Sequence, residues 1–81
     1  MKENLIQELS FNFAVNAHGL YKQLRDQNEF FISRQFFRSA TSIGANVYEA
    51  TAAASRKDFA KKMIIASKEA RETYYWLRLL K

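Results

Sequence analysis

The sequence predicts an all-α fold: three long helices packed antiparallel, up-down-up, as a single helical-bundle domain over residues 1–81. Three observations lead there. The chain has no Pro and only two Gly, the residues least tolerated inside helices. Its apolar residues recur at steps of three and four through most of its length. Finally, 48% of residues are hydrophobic and 15% aromatic, a large apolar content for a chain whose own core stabilises it only marginally.

The first helix is expected over about residues 5–27, with Ile6, Leu9, Phe13, Ala17, Leu20 and Leu24 on one face and the polar turn Asp26-Gln27-Asn28-Glu29 at its end. Gly19 inside it weakens the helix slightly and suggests a close neighbour. The second is expected over about 33–54, with Ser33 as N-cap and a core face of Phe36, Ala40, Ile43, Val47 and Ala50. The third is expected over about 56–80. Ser55 caps it, and Ser-Arg-Lys-Asp is a variant of the capping box with Asp58 three residues after the Ser. Its core face is Phe59, Met63, Ala66, Ala70, Tyr74 and Leu77. Helices of this length run roughly 30–40 Å, and short connections make neighbours antiparallel.

Several classes of chemistry are excluded at once. Without Cys there is no disulfide, thiolate metal site or thiol nucleophile. The N-terminus lacks the apolar core of a signal peptide, and no run approaches the roughly 18 apolar residues of a membrane span. A cytoplasmic protein without membrane contact is expected. His18 is the only histidine, falls opposite the core stripe, and has no partner one turn away, so no metal site is predicted. No cofactor and no small-molecule substrate are implied.

Seven Phe, four Tyr and one Trp exceed what a solitary three-helix unit hides. Self-association is therefore expected, with Ile64, Ile65, Tyr75 and Trp76 as contacts between copies. The second helix also carries Arg38, Ser42, Asn46 and Glu49 at steps of four, four and three, a polar stripe beside its core face. Its structural reading is a network in which Ser42 and Asn46 bond to a neighbouring helix and Arg38 pairs with a carboxylate. Its catalytic reading makes Glu49 an acid or base. The structural reading is the stronger, because Glu49 has no His, Cys or second carboxylate nearby in sequence, and no enzyme is predicted.

Charge is unevenly distributed. Residues 1–54 hold five basic and five acidic side chains; residues 55–81 hold eight basic against three acidic, which supplies the whole net charge of +5. On the last helix Lys57, Lys61, Lys68, Arg71 and Arg78 gather with Tyr75 on the side away from the core. That pattern fits a nucleic-acid surface, where cations neutralise phosphates and Tyr75 stacks on an unpaired base. It fits equally a solvated face whose aromatic residue packs on another subunit.

The segments F-x-R-S-A-x-S-I-G-A-N-V-Y-E-A (Phe36 to Ala50), S-R-K-D-F (Ser55 to Phe59) and I-A-S-K-E-A-R-E-T-Y-Y-W-L (Ile65 to Leu77) resemble a bacterial family. It is the four-helix-bundle family first noticed as proteins encoded in intervening sequences of 23S ribosomal RNA genes. The resemblance spans about residues 5–81 and is most specific in the second and third helices. It implies a pentameric assembly and kinship with the accessory protein of diversity-generating retroelements, a basic pentamer thought to bind nucleic acid and a reverse transcriptase. It assigns no proven chemistry to Arg38, Ser42, Asn46 or Glu49. The family has a fourth helix after the Tyr-Tyr-Trp-Leu region; this sequence ends at Lys81. A subunit of the same kind, or a protein partner in an adaptor role, is then expected to cover the Phe59–Leu77 face.

Overall fold

The computed structural model describes residues 2–80 as three helices: α1 (Lys2–Asp26), α2 (Phe30–Thr51) and α3 (Arg56–Leu79), with no strand among the described residues. No described helix is long and apolar enough to cross a membrane. The molecule measures 43 × 19 × 16 Å.

The polar turn after α1 is a Schellman motif. Asn28 sits in the left-handed region at φ 67°, a conformation that Asn tolerates better than most residues. Its N–H donates to the Arg25 carbonyl at 3.0 Å, and the Glu29 N–H reaches the Leu24 carbonyl at 2.9 Å. This compact closure corrects the expected N-cap of α2. The helix starts three residues earlier, behind Glu29, which makes no side-chain cap. By Ser33 the helix is already a turn long, because the Ser33 N–H bonds the Glu29 carbonyl at 3.2 Å. Ser33 is buried, and its hydroxyl donates back to Phe30 at 2.9 Å. The other cap is as expected: Ser55 Oγ accepts from the Asp58 N–H at 3.1 Å.

α2 is the spine, packed by α1 on one side and α3 on the other. Residue numbers run in opposite directions across both contacts. Gln7 of α1 meets Thr51, and His18 meets Phe37. Glu49 meets Lys62 of α3, and Phe31 meets Trp76. Among the described residues, α1 and α3 bring no Cα atoms within 8 Å of each other. The gap between them is an apolar groove of about 310 Å³ lined by Phe13, Ile43, Ala70, Thr73, Tyr74 and Leu77.

The core is small. Ala17, Phe36 and Ala40 form its centre, with Leu20, Phe37, Trp76 and Leu77 packed around them. Leu24, Val47, Ala50 and Ala66 are buried along the same contacts. The expected α2 face is thus largely inside. The flanking helices differ: Ile6, Leu9, Phe13, Phe59, Ala70 and Tyr74, all expected in the core, are exposed. Among the described residues each flanking helix packs on α2 alone, so one side of its wide apolar stripe is covered.

Of the two glycines, Gly44 beside Ala45 suits a close helix approach and makes one, whereas Gly19 lacks the neighbour expected of it. A Cβ at Gly19 would meet nothing within 4 Å, so no neighbour explains it. A Cβ at Gly44 would lie 3.2 Å from the Ser10 carbonyl oxygen, so Gly44 lets α1 approach α2 closely. Replacing Gly19 by Ala should therefore stabilise the protein by about 0.5–1 kcal/mol, since only helix propensity changes. Urea denaturation measures it; a lower midpoint would mean that the open flank is in fact occupied.

Candidate nucleic-acid interface

The electrostatics of α3 are set by what α2 takes from it. Arg38 reaches across with its guanidinium 3.3 Å from Glu69 and 2.6 Å from Glu72. Trp76 Nε1–H donates to the same Glu72 carboxylate at 2.9 Å. The Arg38 hydrogen bond, then that of Trp76, holds the Glu72 carboxyl below its ordinary value of 4.5, and the two carboxylates raise Arg38 in return. At the adjacent residues on each helix, Thr73 and Ser39 share a buried hydroxyl contact of 2.8 Å. Thr73 also approaches the Glu69 carbonyl at 2.8 Å, and Ser39 donates to Phe36 at 3.1 Å. Two hydroxyl protons thus serve three short oxygen–oxygen contacts and tie α2 to α3 at the centre of their seam. Thr73 escapes sequence reasoning because a hydroxyl residue in an apolar period reads as surface.

Further along α2, the stripe behaves unevenly. Glu49 pairs with Lys62 at 2.8 Å, which lowers its pKa from 4.5. Ser42 and Asn46 do not cross to a neighbour through the bonds expected of them: Asn46 donates within the helix to the Ser42 carbonyl at 2.8 Å. Glu49 also borders an open groove of about 460 Å³ between α1 and α2, whose walls are mainly Phe11, Ala14, Gly44, Ala45 and Tyr48. A carboxylate kept ionised by a Lys, at the rim of an apolar groove, is poorly placed to deliver a proton.

Lowering the pH tests the Glu72 contact. A carboxyl with a depressed folded-state pKa contributes stability that is present above its unfolded value. That stability fades as the pH falls below about 4.5 and through the folded value. Its side chain is 36% exposed, so the contribution is that of a surface pair, about 1 kcal/mol or less. Trp76 is the only Trp and reports directly. Its fluorescence should titrate in acid in the native protein and lose that step in Glu72→Gln; an identical step in both would separate Trp76 from Glu72.

With Glu69 and Glu72 committed to Arg38, the outer side of α3 is left to cations. Lys57, Lys61, Ile64, Lys68, Arg71, Tyr75 and Arg78 follow one another at alternating steps of four and three, all exposed, as one stripe along the helix. None of the five cations has a carboxylate within 4.0 Å among the described residues. At about 1.5 Å per residue the stripe is roughly 30 Å long.

The residues expected at contacts between copies divide. Ile64, Ile65 and Tyr75 are exposed. Trp76 is half-buried and turned inward, edge-on to Phe31 at 6.0 Å and against the Phe36 core. His18 is exposed and stacks at 5.4 Å on Phe37, which lies 4.7 Å from Tyr21. No group of three or more metal-ligating side chains occurs among the described residues.

Comparison with known proteins agrees with the sequence motifs. The sequence model of the family described as 23S rRNA-intervening sequence protein matches residues 2–81. A solved structure from Bacteroides thetaiotaomicron VPI-5482, described as a protein with unknown function from the S23 ribosomal protein family, is similar at a TM-score of 0.94 and 54% identity. The match covers 99% of this chain and 72% of that one. No protein of curated function matches. On a match that runs nearly from end to end, the chain belongs to the 23S rRNA-intervening sequence protein family.

Proposed function

We propose that this protein is a non-enzymatic, cytoplasmic, self-associating helical bundle that holds RNA or DNA on the basic face of α3. The observation that carries the reading is the stripe of Lys57, Lys61, Lys68, Arg71 and Arg78, unpaired among the described residues, on a helix whose carboxylates at 69 and 72 are turned to Arg38. A row of cations on one side, with two of the helix's three carboxylates bound to Arg38, is an electrostatic footprint for phosphates. Repeating the row around an oligomer multiplies the field.

Self-association rests on the large apolar side chains left in water, among them Leu9, Phe11, Phe31, Tyr48 and Ile64. At roughly 25 cal/mol per Å² of apolar area, covering several of them is worth several kcal/mol, comparable to the stability of a domain this small. We infer an antiparallel up-down bundle in which the groove between α1 and α3 takes one more helix, and the family resemblance makes a pentamer the assembly to test. A second reading, an adaptor whose protein partner fills that groove, is favoured by its walls of Phe13, Ile43 and Leu77.

Mobility shift with single-stranded RNA across a salt series tests the main reading. Binding should weaken linearly in log salt. Absent or salt-insensitive binding would refute it. Recovery of a stoichiometric partner bearing an amphipathic helix, released when Phe13 becomes Glu, would favour the adaptor instead. Sedimentation of dilute protein as a stable folded monomer would end the self-association claim.

A further inference from the structure

The outer face of α3 is not uniform. Toward its C-terminal end, Ser67, Ala70, Arg71, Tyr74, Tyr75 and Arg78 line a shallow crevice of about 430 Å³. Tyr74 belongs to the core by periodicity, yet it is 65% exposed, and Tyr75 beside it is 54% exposed. Tyr75 leans edge-on against Trp76 at 5.1 Å, whereas Tyr74 makes no ring contact among the described aromatic residues. Arg71 and Arg78 have no carboxylate within 4.0 Å among the described residues. Seven residues apart, they stand roughly 10 Å from each other along the helix axis, with both Tyr residues between them.

Cation, two aromatic rings, cation is the order in which a single strand presents phosphate, base, phosphate. A duplex presents the phosphates alone, because its base faces are closed in the stack. Stacking on an open aromatic face does not depend on base identity, and a guanidinium fork suits phosphate oxygens. We propose that this crevice seats an unpaired nucleotide of a single strand, its base on the open face of Tyr74 and its flanking phosphates on Arg71 and Arg78. The proposal rests on the basic-face reading, which by itself needs only phosphates; the added claim is that the protein selects unpaired strands.

Three labelled probes of equal length separate the two claims by fluorescence anisotropy: a single-stranded oligonucleotide, its abasic counterpart, and the duplex. The native protein should bind the base-bearing strand about tenfold more tightly than the abasic strand, the range expected for one stacked base. Tyr74→Ala should erase that difference while leaving abasic and duplex affinities and their salt dependence unchanged. Tyr74→Phe should preserve it, which controls for any loss of folding in the Ala variant. Equal binding of base-bearing and abasic strands by the native protein overturns the proposal, although salt-dependent binding of both would leave the basic face standing. Failure of all three probes removes both. A lower sedimentation coefficient in Tyr74→Ala, with its strand preference intact, would assign the crevice to a second copy and also overturn it.

Discussion

Truncating Phe36 to Ala is expected to abolish the cooperative thermal transition at ordinary temperatures. Phe36 is only 2% exposed and sits at the centre of the small core, against Ala17 and Ala40 and under Trp76 and Leu77. Ala17 and Ala40 carry only a methyl group each and cannot reach into the void, which leaves its filling to shifts of Trp76 and Leu77. Removing a fully buried Phe costs about 3–5 kcal/mol, and native domains are stable by only about 5–15 kcal/mol, the smallest at the low end. Phe30, six residues earlier in the same helix, is 48% exposed and supplies the control; Phe30→Ala should leave the transition in place. Circular dichroism melts at several concentrations would read both effects. If copies stabilise one another, the midpoint rises with concentration in the native protein. A Phe36→Ala protein that melts within a few degrees of the native one would show that the core lies elsewhere.

Reversing Lys61, Lys68 and Arg71 to Glu should eliminate binding of single-stranded RNA without altering the fold. All three are exposed, and none is held by a carboxylate among the described residues. Their removal therefore leaves no orphaned partner. Each phosphate neutralised on a single strand contributes about 0.7 to the slope of log affinity against log salt. A triple variant with Gln at these positions should thus lower the slope by about 2, and the Glu variant should fall below detection through added repulsion. An unchanged slope in the Gln variant would place the phosphates on another surface.

How much of this was readable in the residues varied from helix to helix. α2 was the most legible, because it is covered on two sides and its apolar positions answer to a single period: Phe36, Ala40, Val47 and Ala50 are all buried. α1 and α3 depart from their periodicity where it promises a cover that one neighbour does not give, as at Leu9, Phe59 and Tyr74. The start of α2 is hidden in the sequence because Ser33 resembles a cap, whereas the turn that decides the matter is closed by the backbone of Arg25, Leu24 and Glu29 around Asn28. The basic stripe could be read directly from its spacing. Its isolation from carboxylates could not, since Arg38 meets Glu69 and Glu72 only once α2 and α3 are side by side. Thr73 and Ser39 were invisible for the same reason: a shared proton across a seam leaves no trace in either helix alone.

That α1 leans on α2 alone also shapes how the molecule comes apart. Among the described residues, contacts join elements adjacent along the chain, a topology of short loops that folds quickly. It also permits partial opening: α1 can swing away on the Asn28 turn while Ser39, Thr73 and the Arg38 fork keep the other pair joined. Amide exchange should accordingly proceed fastest in α1 through excursions that spare the α2–α3 seam.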